Sequence, residues 1–164
     1  MDAIEDKIDT VLLDGQLEIL RQAYSEADMT QILSSGIPGL DKRTASFIGT
    51  IRQAFYDTSQ RTMEPKDRER CLIAILASRD AGLNLALHMY VGLMVGLSQQ
   101  EIADIIFLGG IYTGVDRISD GLAAEVRMLE VLSQLAVDPT ACTVPRVLQA
   151  MMAAFGRPPL PPRP

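Results

Sequence analysis

The chain has 164 residues, one histidine, two cysteines and a formal net charge of −6, which fits a single domain able to bury a core without disulfide or metal staples. An acidic chain with no concentrated basic face is a poor match for phosphates, so nucleic acid is excluded as a partner. With 48% hydrophobic and 22% charged residues, it is apolar for a soluble monomer, and a subunit interface is the expected place for the surplus.

Helical periodicity recurs from end to end and no segment alternates like a strand, so the expected fold class is all-α. An N-terminal helical region runs from about Ile4 to Leu33 with a break near Gly15, and stops at Ser-Ser-Gly-Ile-Pro-Gly, residues 34 to 39. A helix from about Lys42 to Thr58 carries Phe47, Ile51, Ala54 and Phe55 at core spacing. Pro65 suits the first turn of the next helix, which carries Glu69, Leu72, Ile73 and Leu76 and ends near Asp80. The apolar run 81–97 follows. It approaches membrane-spanning length, but Asn84 and His88 interrupt it and charges flank it, so a buried helix is expected and no membrane partner. Ser98 and Glu101 form the capping-box pattern Ser-x-x-Glu, opening a helix with Ile102, Ile105, Ile106 and Leu108. Gly109-Gly110 and Tyr112-Thr113-Gly114 loosen or end that helix. A long amphipathic helix from about Ile118 to Leu135 and a last one over Val144 to Phe155 complete the set.

Five of the eight residues in the tail 157–164 are prolines without a backbone donor, so an extended polyproline segment is expected there. Its Pro158-x-x-Pro161-x-Arg163 pattern suits an aromatic-lined groove, whereas proline-rich tails are more often inert or pack on a neighbouring subunit. Cys71 and Cys142 lie far apart without metal-ligand spacing, and the acidic start lacks the basic region and apolar core of a secretory signal. A reduced cytoplasmic protein is the expectation, with no metal and no cofactor.

Asn84 and His88 are the strongly polar side chains of the apolar run, and their spacing of four puts them on one face. An unpaired buried polar group costs roughly 1–3 kcal/mol, so a helix that carries both either satisfies them in the core or holds them at a cavity. Gly92 continues that face and leaves room for a ligand or for close approach of another helix. Glu69, within Asp-Arg-Glu-Arg, reads from its neighbours as either solvated or a site residue, and Tyr112 as either core or cavity lining.

The order of Glu69, His88, Gly96, Ser98-Gln-Gln-Glu101-Ile102 and Tyr112-Thr-Gly114 resembles the carboxymuconolactone decarboxylase and AhpD-like superfamily, over roughly residues 41 to 122. In the AhpD branch a glutamate precedes a Cys-x-x-Cys-x-x-x-His motif. Setting that histidine on His88 puts the cysteines at Ala81 and Asn84, where neither is present, and the glutamate 19 residues earlier at Glu69. The resemblance therefore implies an AhpD-like helical bundle built around a helical hairpin. It divides the chain into an N-terminal extension (1–40), the family domain (41–156) and the proline tail (157–164).

The resemblance further implies a homotrimer or homohexamer and a small-molecule substrate. His88 and Glu69 would be the catalytic pair, with Asn84 and Tyr112 binding substrate. Without the thiol pair the implied chemistry is cofactor-independent acid/base work on a small organic acid or carbonyl compound, a decarboxylation or a related lyase or isomerase step. An alkyl hydroperoxidase activity lacks its nucleophile. A non-catalytic oligomeric small-molecule-binding protein is the remaining alternative. Cys71 lies roughly 200° around its helix from Glu69 and is expected to be a buried structural thiol; Cys142 is equally unpromising as a nucleophile. Glu101 is expected to serve as a helix cap.

Overall fold

The computed structural model describes residues 8, 10–27, 43, 46, 50, 63–79 and 82–156. Among them are six helices and no strand: α1 (Asp14–Ser25), α2 (Pro65–Ala77), α3 (Leu83–Met94), α4 (Gln99–Thr113), α5 (Val115–Leu135) and α6 (Val144–Phe155). The all-α expectation holds for these residues. Arg43, Ser46 and Thr50 are helical and exposed, whereas Phe47, Ile51, Ala54, Phe55, Ala81 and the proline tail lie outside the described residues. No described helix is long and apolar enough to cross a membrane.

Local chemistry sets the helix boundaries. The N-terminal break falls at Leu12–Leu13, not at Gly15, because Leu13 is extended and its N–H donates to Gln16 Oε1 at 3.1 Å, opening α1 with Asp14 at its positive end. Pro65 occupies the first turn of α2, as expected. Gly82, with φ of 43°, turns the chain into α3 through a conformation that side chains disfavour. Ser98 and Glu101 form the expected capping box of α4.

Gly109 and Gly110 do not loosen α4, and α5 starts at Val115, three residues before the expected Ile118. The glycines serve packing instead. A Cβ at Gly110 would collide with Ile118 of α5, and a Cβ at Gly121 of α5 would sit 2.5 Å from Ile106 Cγ2 of α4. Each helix thus offers an isoleucine to the other's glycine, and α4 and α5 close as an antiparallel hairpin. At Gly92 a Cβ would meet Leu97 Cδ1 at 2.8 Å and Ile73 Cδ1 at 3.2 Å, so the Leu97 and Ile73 side chains, not a ligand, use the missing side chain's space.

The N-terminal helix belongs to the same core. Ile8, Leu12, Leu17 and Leu20 are buried with the apolar faces of α2 to α5. Arg21 Nε donates to the carbonyl of Leu93 at the end of α3, Gln16 Nε2 to Ser133 O, and Gln99 Nε2 to Leu12 O. Helix α6 packs on α3 and α5, with the Phe155 ring 5.1 Å beneath the Arg127 guanidinium.

Glu101 joins α4 to α2 as well as capping α4. Its carboxylate accepts from the Ser98 N–H at 2.9 Å, from Arg70 at 2.6 Å and from Lys66 at 3.1 Å. The Ser98 amide, then the Arg70 guanidinium, holds its pKa down to about 2. A lowered pKa means that the stabilisation is present above the ordinary carboxylate range and is lost as pH falls towards that value. Glu101→Gln should lower stability by about 1 kcal/mol at neutral pH, a modest amount because the side chain is 36% exposed and solvent screens it. Thermal melts across pH should show the wild-type advantage shrinking on acidification; a gap unchanged down to pH 3 would contradict the charge-based account. Gly121→Ala, which drives a β-carbon into Ile106, should cost roughly 1–3 kcal/mol in denaturant titrations.

Candidate functional site

Helix α2 buries the face carrying Glu69, Ile73 and Ala77, spaced four residues apart. The Glu69 side chain is therefore a carboxylate in a core stripe, with 0% exposure, and the solvated reading of Asp-Arg-Glu-Arg does not hold. His88 approaches from α3. Its Nδ1 lies 2.8 Å from Glu69 Oε2, and its side chain retains 31% exposure. The second carboxylate oxygen, Oε1, has Arg68 Nε at 3.9 Å, from a guanidinium side chain that is 12% exposed. A buried carboxylate carries a heavy desolvation cost, which the flanking guanidinium and imidazole offset. With Glu69 accepting, Nδ1 carries the proton. Nε2 makes no hydrogen bond to the described residues.

The other expected site residues are not joined to this pair by any hydrogen bond among the described residues. Asn84 is exposed one turn before His88 on α3. Tyr112 is 85% exposed near the end of α4, beside the exposed Leu108, Ile111 and Val115, so it is not a residue of the described core. Cys71 is exposed, against the expectation of a buried thiol. Burying Glu69 and Ile73 turns Cys71 outward, and its side chain diverges from Glu69 as its helical angle requires. Cys142 is buried, which raises its thiol pKa and suppresses the thiolate. The described residues include no group of three or more ligand-type side chains placed to hold a metal ion.

Two charged residues near the pair or in the core were not singled out from the sequence. Arg68 gave no periodic signal, since its importance comes from the burial of the residue beside it. Glu125 had one. It is fully buried on α5 in a stripe with Leu122, Met128, Leu129 and Leu132, and an acid at a core position of an amphipathic helix is as anomalous as a histidine in an apolar run. Tyr90, two residues after His88, is also buried. Its hydroxyl has no hydrogen bond among the described residues, and its ring meets Tyr24 edge-on at 6.0 Å. Away from the pair, an open cleft of about 430 Å³ lies between α1 and the start of α4, lined by Asp14, Leu17, Arg21, Gly96, Ser98, Gln99 and Gln100.

Compared with known proteins, residues 47–127 match the model of the carboxymuconolactone decarboxylase family. The match takes in both members of the pair, the capping box of α4 and the α4–α5 turn. No curated protein and no solved structure matches the chain.

Proposed function

The chain belongs to the carboxymuconolactone decarboxylase family through residues 47–127, and on that premise we propose that it is a cofactor-independent acid/base enzyme acting on a small organic acid or carbonyl compound. The observation that carries this reading is the 2.8 Å contact between a fully buried Glu69 carboxylate and a His88 ring that still reaches solvent. Glu69 fixes the ring and its Nδ1 proton, and it stabilises the imidazolium when one forms. Nε2 is then the atom that exchanges protons with substrate.

In a decarboxylation, the bond between the carboxylate and the adjacent carbon breaks. Carbon dioxide leaves, and the electron pair passes into a neighbouring carbonyl as an enolate. The His88 imidazolium returns a proton from Nε2 to that carbon and is left neutral. The Asn84 amide, one turn away on α3, is the proposed donor to the enolate oxygen. A related isomerisation uses the same groups, with His88 first removing a proton and then returning it. A thiol peroxidase reaction has no support on α3, where Asn84 replaces one cysteine of the redox motif.

His88→Gln and Glu69→Gln keep size and hydrogen-bonding capacity while removing the proton-transfer group or its charge. If the pair faces a substrate cavity, His88→Gln, at the part-exposed member, should melt close to wild type, while Glu69→Gln, at the fully buried carboxylate, should lose some stability. They should also lose binding and turnover of small carboxylic or dicarbonyl compounds selected by thermal shift on the wild-type chain. A loss of roughly 1–3 kcal/mol of stability in both variants, with ligand binding unchanged, would make the pair structural and remove the enzyme reading.

Self-association as a trimer or hexamer is part of the same proposal. Leu108, Ile111, Tyr112 and Val115 are all more than half exposed around the α4–α5 turn, an apolar set suited to burial between subunits. Light scattering at micromolar concentration should find a trimer or larger. A stable species of the monomer mass, 17.9 kDa, would overturn it.

A further inference from the structure

Helix α6 folds back along α5. Residues 136–143 join the two, and Phe155, at the far end of α6, has its ring centroid 5.1 Å from the Arg127 guanidinium. The chain therefore leaves α6 beside the middle of α5, heading towards the first turn of α5. From Arg127 the exposed side of α5 continues through Ala123, Ser119 and Asp120 to Asp116 and Val115, at helical spacing. None of the described helices covers this stripe. It runs out at two of the most exposed apolar side chains among the described residues, Val115 at 76% and Tyr112 at 85%.

Beyond Gly156 the sequence continues Arg157-Pro-Pro-Leu-Pro-Pro-Arg-Pro. Eight residues in extended polyproline conformation span about 25 Å, whereas Val115 lies only about 18 Å from Arg127 along the α5 axis. A polyproline segment laid along the stripe thus passes the small side chains of Ala123 and Ser119 and brings Pro161 and Pro162 level with Val115. Tyr112 supplies the aromatic ring that a Pro-x-x-Pro pattern packs against. Arg163 follows on beside Asp116, which makes no ion pair with the described residues, while Asp120 has Arg117 at 4.0 Å.

We propose that residues 157–164 dock on the α5 stripe of their own chain, as a strap that covers Val115 and Tyr112. The tether favours the same chain, because it holds the segment at an effective concentration far above that of a second copy in dilute solution. Leu108 and Ile111, further back on α4, stay open, so the proposed subunit contact is made by these two and the strap. The strap requires nothing of the Glu69–His88 pair, and it stands or falls separately from the acid/base reading.

Disulfide trapping in the full chain tests the strap, with Cys71→Ser removing the exposed thiol and the buried Cys142 retained. Leu160→Cys is combined either with Ser119→Cys on the stripe or with Val137→Cys beyond the other end of α5. These two positions lie about 12 Å and about 15 Å from the level of Arg127, in opposite directions, so a tail that does not dock joins both at similar rates. A docked tail should join Ser119→Cys at least about ten times faster than Val137→Cys under mild oxidation, giving a product of monomer mass. Arg163→Glu should erode that preference, and Asp116→Arg in the same chain should restore it. Equal rates at the two positions overturn the docking. A trapped product of twice the monomer mass overturns its assignment to the tail's own chain.

Discussion

The buried carboxylate of Glu69 is the constraint on which the arrangement of α2 and α3 depends. An ionised group with no exposure requires compensating charge within a few ångströms, and the structure supplies an imidazole at 2.8 Å on one oxygen and a guanidinium at 3.9 Å on the other. The imidazole contact in turn fixes how closely the two helices approach. Glu69–His88 and Ile73–Gly92 share the same offset of 19 residues, so one crossing of α2 over α3 makes both. A side chain at Gly92 would push against Leu97 and Ile73.

Four consecutive residues of α2, Asp67 to Arg70, divide the remaining work by helical angle. Arg70 turns to α4, where it holds Glu101 with one nitrogen while the other holds Asp67 at 2.6 Å. Glu69 turns to α3, and Arg68 lies beside it, nearly buried. The cap that starts α4 and the carboxylate that holds His88 are joined through adjacent residues of one helix. The α4–α5 hairpin is locked by its two glycine–isoleucine contacts.

Features of the sequence that act locally were legible. The capping box at Ser98, proline at the start of α2 and the bounds of α6 need only neighbouring residues, and the structure has all three as read. The contact between Glu69 and His88 was legible only through resemblance, because no local rule connects residues 19 apart on different helices. Glycine was where local reading failed. Gly15 and the Gly109-Gly110 pair looked like interruptions, yet all three lie inside helices, and at Gly110 the missing side chain is occupied by Ile118 of α5. A glycine that breaks a helix and one that receives a neighbour look alike until the neighbour is known. Cys71 failed for a related reason. Its apolar neighbours Leu72 and Ile73 implied burial, but the face buried is the one that includes the charged Glu69. A face chosen by an acid is invisible to a hydrophobic pattern.

The asparagine at position 84 bears on what the pair can do. In the redox branch of the superfamily that the sequence resembles, a cysteine stands one turn before the histidine, at the position of Asn84. Asn84 is exposed at that position and carries neither a nucleophile nor a titratable proton. In the proposed function the His88 ring, which keeps 31% side-chain exposure, is then the reactive group on this face of α3. Proton transfer is the chemistry an imidazole performs best near neutrality, and a carboxylate locked on its far nitrogen fixes which nitrogen performs it. In the proposed function Glu69 therefore acts by controlling the ring itself.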